Sequence, residues 1–378
     1  MNCRVLTLVL FLGLPLLVAP YVSAAEAPKR VLIFTAEHQQ IPAVQILNQA
    51  IFKTMESRLP TQVQFFYEAQ DNFRIPNEKY ESELVALMRR KYEGEHIDLI
   101  FAFATPAIRF LVRHRDELFT NTPIVFISVD PQRWADLDLG QNVTGVGAKL
   151  ELKPTLDVAL ALQPETKRVI VVAGLYSLDS DLVKRAREEF RPFEGKVDFT
   201  YLIGLPLEEL RSKLAELPEH SIIFYLTFSS DSSGKTYNNQ EVLSVLTPSA
   251  NAPIYVAIQT FFGNGTIGGS LLDFEAVGTR AAETALRILA GEKPKDIPLQ
   301  LLPSTTMLDW RQLRRWGIDE AKLPPGSIVR YKEFSVWELY KWRIIGAIAL
   351  IVLQATFSAM QRAFIRPARE TLFTVVSR

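Results

Sequence analysis

The run Ile124–Val129 (IVFISV) restricts the fold more than any other stretch of the chain. Its β-branched and aromatic residues follow one another without a polar alternation, which suits a strand buried on both faces. Asp130-Pro131 stops that strand, because proline has no amide proton for the ladder and restricts the residue before it. A polar loop leads to a second short strand at 142–146, with Gly145 and Gly147 close by. Ser128 and Asp130 therefore fall at the carboxyl end of a parallel strand, the edge where open α/β sheets take their ligands.

Short apolar runs alternate with helical periodicity on both sides of this point. Strands are expected at 31–35, 63–67, 97–103 and 124–129. Val44, Leu47, Ile51, Met55 and Leu59 give one helix between them, and Tyr80, Leu84 and Met88 give the next. Pro106 opens a third in the favoured first turn. The alternation restarts after Gly147, with strands at 168–173, 197–202, 221–227 and 254–258 and helices between them. Segment 266–270 (TIGGS) reads as a return crossing into a helix with Val277, Ala281, Thr284 and Ile288 on one face. The fold class is α/β: two doubly wound parallel-sheet lobes plus one C-terminal transmembrane helix. Lobe 1 takes 26–145 and 271–325, and lobe 2 takes 146–270. A ligand is expected in the cleft between lobes, which close by a hinge motion.

The ends carry addresses rather than lobes. Arg4, an apolar stretch at 5–18 and the small residues around Ala24 form a signal peptide at 1–25. Cys3, the one cysteine, would leave with it, so the mature chain has no thiol for a disulfide, a metal or a nucleophile. That combination suits a bacterial periplasmic protein. Residues 326–341 form a juxtamembrane linker, and 342–361 a membrane helix flanked by Trp337, Tyr340 and Trp342. Arg362, Arg366 and Arg369 lie in a short cytoplasmic tail at 362–378. This topology puts the lobes on the periplasmic face of the inner membrane, single-pass, with the N-terminus outside. Forty-two basic and 42 acidic residues cancel, which argues against nucleic acid as a partner.

Ala104-Thr105-Pro106-Ala107, Pro123 to Phe126 leading to Asp130-Pro131, and Asn142-Val143-Thr144-Gly145 together resemble the ABC transporter substrate-binding family of the tryptophan/tyrosine-binding type. Segments 162–173 and 281–294 extend the resemblance, which covers about 31–318. It implies a type I periplasmic binding protein fold that binds a small molecule without chemistry on it. The C-terminal span departs from a free binding protein and resembles the input region of membrane-bound sensor histidine kinases, although no kinase follows it here.

The strand ends supply the candidate ligand contacts. In the first lobe these are Thr35, Glu37, Thr105, Ser128 and Asp130. Thr105, at a helix start, serves either as an N-cap or as an anion contact beside free amides. Asp130 is favoured as a turn former. Glu37 with His38 lacks a third metal ligand. The second lobe offers Tyr176, Ser177, Thr227, Phe228, Tyr237 and Gln259, with Asp273 beyond the return crossing. Tyr176, Phe228 and Tyr237 are suited to stacking on a planar ligand. Residues 232–235 (SSGK) lack the first glycine of a phosphate loop and read as a flexible loop. No GxSxG or HExxH motif occurs and the four histidines are scattered, so neither an enzyme nor a cofactor is expected. The expected function is a sensor-type binding module at the inner membrane, with a solute receptor for an ABC permease as the alternative. The ligand is an amino acid or another planar small molecule, and the protein partner is a signalling protein or a permease.

Overall fold

The computed structural model describes residues 27–71, 78–134, 136–333 and 336–376. The signal segment at 1–25 lies outside them. The chain divides into two units: residues up to Val146 with Gly278–Gln300, and Gly147–Val277 with Leu301–Arg378.

In the first unit the order is β1 (Lys29–Thr35), α1 (Pro42–Arg58), β2 (Val63–Ala69), α2 (Glu78–Lys91), β3 (Leu99–Phe103), α3 (Ala104–Arg113), β4 (Ile124–Val129) and β5 (Val143–Ala148). With β11 (Gln300–Leu302) these strands form one sheet, in the order β11-β5-β4-β3-β1-β2, and the pairs β1–β2, β1–β3 and β3–β4 are parallel. Every residue of β3 is buried, as two-sided burial of a central parallel strand requires. Leu32, Phe34, Ile100, Ala102 and Phe126 pack with Ile108 and Phe110 of α3 in one core layer. Each such fully buried apolar side chain contributes about 1.5–3 kcal/mol of transfer free energy.

The second unit runs α4 (Lys153–Leu162), β6 (Arg168–Ala173), α5 (Ser177–Phe190), β7 (Asp198–Ile203), α6 (Leu207–Ala215), β8 (Ser221–Tyr225), α7 (Asn239–Ser249), β9 (Ile254–Val256) and β10 (Gly268–Leu271). After α8 (Phe274–Leu289) it resumes with β12 (Thr305–Asp309), α9 (Trp310–Arg315) and β13 (Ile328–Arg330). The sheet order is β13-β12-β10-β9-β8-β6-β7. Alternate residues of β6 enter opposite layers: Val169 and Val171 pack with α4 and α5, and Ile170 and Val172 with α6 and α7.

Two expectations about the chain path change. Segment 266–270 is no crossing: it contains β10, parallel to β9 and antiparallel to β12, and the passage to the first unit falls within α8. Residues 301–325 belong with the second unit, because β12 supplies the edge that β10 pairs with and β13 then pairs parallel to β12. The last element is α10 (Val336–Val376), whose stretch Tyr340–Met360 is long and apolar enough to cross a membrane and buries none of that surface against the protein.

Gly145 explains part of the Asn142 to Gly145 motif. A Cβ there would lie 2.5 Å from the Phe126 ring and 2.5 Å from its carbonyl oxygen, so β5 closes on β4 only without a side chain. Thr144 Oγ1 donates to the Ile297 carbonyl at 2.9 Å and ties this strand to the segment after α8. Gly145→Ala is expected to destabilise the protein by about 1–3 kcal/mol through overpacking, read as a lower urea midpoint with an unchanged slope.

Candidate functional site

The parallel ladders of the first unit bring four strand ends level. Thr35 pairs with Ala69 and with Phe103, and Phe103 pairs with Ile127. The next residue on each strand therefore forms a row along the carboxyl edge: Gln70, Ala36, Ala104 and Ser128. Ala104 and Ser128 both hold left-handed backbone, with φ of 69° and 58°. Such strain costs on the order of 1–3 kcal/mol per residue and persists only where the surroundings impose it. Ser128 Oγ and Gln70 Oε1 are shut away from solvent with no hydrogen-bond partner among the described residues. Gln70 was not anticipated, because the apolar pattern of β2 ends before it and one Gln after a strand carries no signal of its own.

The other expected residues of this edge serve mostly their own chain. Thr35 Oγ1 donates to the Glu37 carbonyl. Burial pushes the Glu37 carboxyl above its ordinary range; neighbouring His38 opposes this and Asp71 reinforces it. Thr105 is the second residue of α3 and not its cap. Phe103 holds the cap position and offers no side-chain acceptor, which leaves the first-turn amides of α3 without a side-chain cap. Asp130 is the turn former favoured above: its Oδ1 accepts from Gln132 N at 3.0 Å.

The carboxyl edge of the second unit is organised by one carboxylate. Asp179, fully buried in the first turn of α5, accepts from Tyr176 N (2.9 Å), Ser229 N (3.1 Å) and Ser229 Oγ (3.0 Å). It thereby joins the loop after β6 to the loop after β8. Gly174 sits so close that a Cβ would lie 2.5 Å from Asp179 Oδ2. An acidic residue in a first helical turn was legible as a dipole partner; its reach to a second loop was not.

Around this clamp the expected residues divide. Tyr176 is half exposed, between Leu175 and Leu178, which are also exposed. Ser177 begins α5. Thr227 is buried, with Oγ1 unpartnered. Phe228 requires correction: it is completely buried in the core layer of α6 and α7, with no ring face available to a ligand. Tyr237 turns inward too. Its hydroxyl donates to Asp231 Oδ2 at 2.7 Å, which raises its pKa to about 12, and its ring packs edge-on to Phe228. Asp231 in turn draws the SSGK segment around itself, accepting from Ser233 N at 2.9 Å and Lys235 N at 3.3 Å, and the Ser233 and Tyr237 hydroxyls lower its pKa to about 2. Those amides point at a carboxylate of their own loop. Gln259 and Asp273 both cap α8: Gln259 Oε1 accepts from Phe274 N at 2.7 Å, and Asp273 Oδ1 accepts from Ala276 N at 3.0 Å.

What remains for a ligand is, in the first unit, the Ser128 hydroxyl, the Gln70 carbonyl and the uncapped start of α3. In the second unit it is the Thr227 hydroxyl and the Tyr176 ring with its leucine neighbours. Hydroxyls and amides of this kind hold polar groups by hydrogen bonds, and an exposed ring packs a planar one.

Comparison with known proteins bears on the fold and the family. A tyrosine-binding protein from Clostridioides difficile is 20% identical over 257 residues, spanning 64% of this chain and 70% of that protein. The ligand-free, open structure of a substrate binding protein with adhesive properties from Clostridium difficile superposes with a TM-score of 0.58 at 16% identity, over 81% of this chain and 100% of that one. An ABC domain in complex with L-Trp from Streptococcus pneumonia gives 0.53 at 19% identity, over 80% and 100%. These likenesses carry the fold. Residues 65–313 match the model of the ABC transporter substrate binding protein family, and the chain belongs to that family.

Proposed function

We propose that the protein is a solute receptor of the ABC transporter type that takes a free amino acid with an aromatic side chain, outside the cytoplasm, and performs no chemistry on it. The family match over 65–313 carries this reading. A tyrosine-binding relative and an L-Trp-bound fold neighbour suggest the ligand class. Tyr176, the one exposed ring of the three expected, would pack the aromatic side chain, with Leu175 and Leu178 beside it. Thr227, in the same unit as Tyr176, would meet the polar groups of the ligand. Transport thus replaces sensing as the first reading. A sensor remains the second, favoured by the uninterrupted helix α10, which continues well past Met360. Either way the helix would tether the protein to the membrane.

Full-length protein in detergent should melt higher with L-tyrosine or L-tryptophan at about 100 times Kd, by the equivalent of about 2.7 kcal/mol. No shift with any natural amino acid would overturn the ligand class. Tyr176→Ala should weaken binding about tenfold, the order expected for one lost aromatic contact.

Thr227→Val separates a ligand contact from a structural hydroxyl. Its Oγ1 has no internal partner, so replacing it by a methyl group should leave the ligand-free melting temperature unchanged or raise it. The same change should lower affinity at least several-fold in calorimetric titration. A lower melting temperature with intact affinity would assign Thr227 to the fold alone.

A further inference from the structure

Tyr331 directly follows β13, in the segment that leads to the helix α10. It is half exposed, yet it adopts a left-handed backbone with φ of 57°, a conformation a bulky residue holds only when its surroundings require it. Three groups of the second unit supply that requirement. The Arg311 guanidinium lies over the ring, 4.2 Å from its centre. The Phe262 ring is 5.6 Å away on a tilted face. Gly263 presents bare backbone, so that a Cβ there would come within 2.6 Å of the Tyr331 hydroxyl. Arg311 is itself fixed, since its Nε and Nη2 donate to the fully buried Asp309 at 3.0 and 2.6 Å. A planar guanidinium held on two of its three nitrogens is pre-organised for stacking. The following residue, Lys332, pairs with Glu320 at 2.9 Å, and Glu320 also accepts from Trp310 Nε1.

This cluster connects to the carboxyl edge described above. Asn239 Oδ1 accepts from Phe228 N at 2.6 Å and from the Tyr225 hydroxyl at 2.7 Å. The buried Tyr225 ring meets Phe261 edge-on at 5.5 Å, and Phe262 follows in the chain. A packed series of groups thus runs from the loop carrying Thr227 and Phe228 to the stem of the membrane helix. By itself β13 could not anchor that stem: it has three residues and lies at the end of the sheet, and such short edge strands fray readily.

We propose that Tyr331, clamped between Arg311, Phe262 and Gly263, is a latch that makes the stem of α10 move with the strand-end loops of the second unit. The stem is then a rigid extension of that unit and not a free tether. A change of state at the loop after β9 reaches residues 327–333 through packed side chains. The latch does not depend on which ligand is taken, and its test uses none.

Hydrogen exchange on the full-length protein in detergent decides it. In the wild type, peptides covering 327–333 should be protected. Tyr331→Ala should speed exchange there at least tenfold and, because coupling is reciprocal, also in 259–265, with the β6 and β8 peptides unchanged. Tyr331→Phe, which keeps the ring, should behave as wild type. Unprotected wild-type stem amides, an unaltered stem in Tyr331→Ala, or a loosened stem beside an unaltered 259–265 would each overturn the proposal. If Tyr331→Ala loses protection throughout, Gly263→Ala decides instead: pressing on the same ring from the other side, it should loosen 327–333 locally, and no change there would contradict the latch.

Discussion

The structure depends on central parallel strands buried on both faces. That burial consumes the backbone groups of β1, β3, β4, β6 and β8 in ladders and requires helices on either side. It also brings strand ends level, so that single residues from non-consecutive strands stand in one row. Gln70, Ala36, Ala104 and Ser128 are neighbours for that reason alone. The left-handed backbone at Ala104 and Ser128 is sustained by the ladders on which it terminates.

Most of the fold was legible because continuous apolar runs and 3.6-residue periodicity are local signals. Ile124–Val129, the helix started near Pro106 and the faces of α1 and α8 could all be read from spacing. The third passage between units, at 300/301, was not. Nothing local distinguishes a short strand that joins one sheet from one that joins another; only the partner decides, and the partner of β12 is β10.

The strand pattern indicates the edges from which candidate residues come, but not which side chains there are left without a partner. Buried backbone amides must find acceptors, and polar side chains just after strands supply them. Asp130, Asp273 and Gln259 are occupied in this way, and Asp231 holds its own loop. Phe228 shows the converse: the ring one position after Thr227 enters the core. Asp179 and Gln70 matter through contacts with residues distant in sequence, which a periodicity reading does not contain. Ser128, Gln70 and Thr227 keep an unpartnered polar atom and Tyr176 an exposed ring, and all four come from the carboxyl edges of their sheets.

The most direct measurement is a crystal structure with L-tyrosine or L-tryptophan bound. Ligand atoms are expected within hydrogen-bonding distance of Thr227 Oγ1, with the ligand ring against Tyr176. A ligand held elsewhere, with the Thr227 hydroxyl still unpartnered, would contradict this.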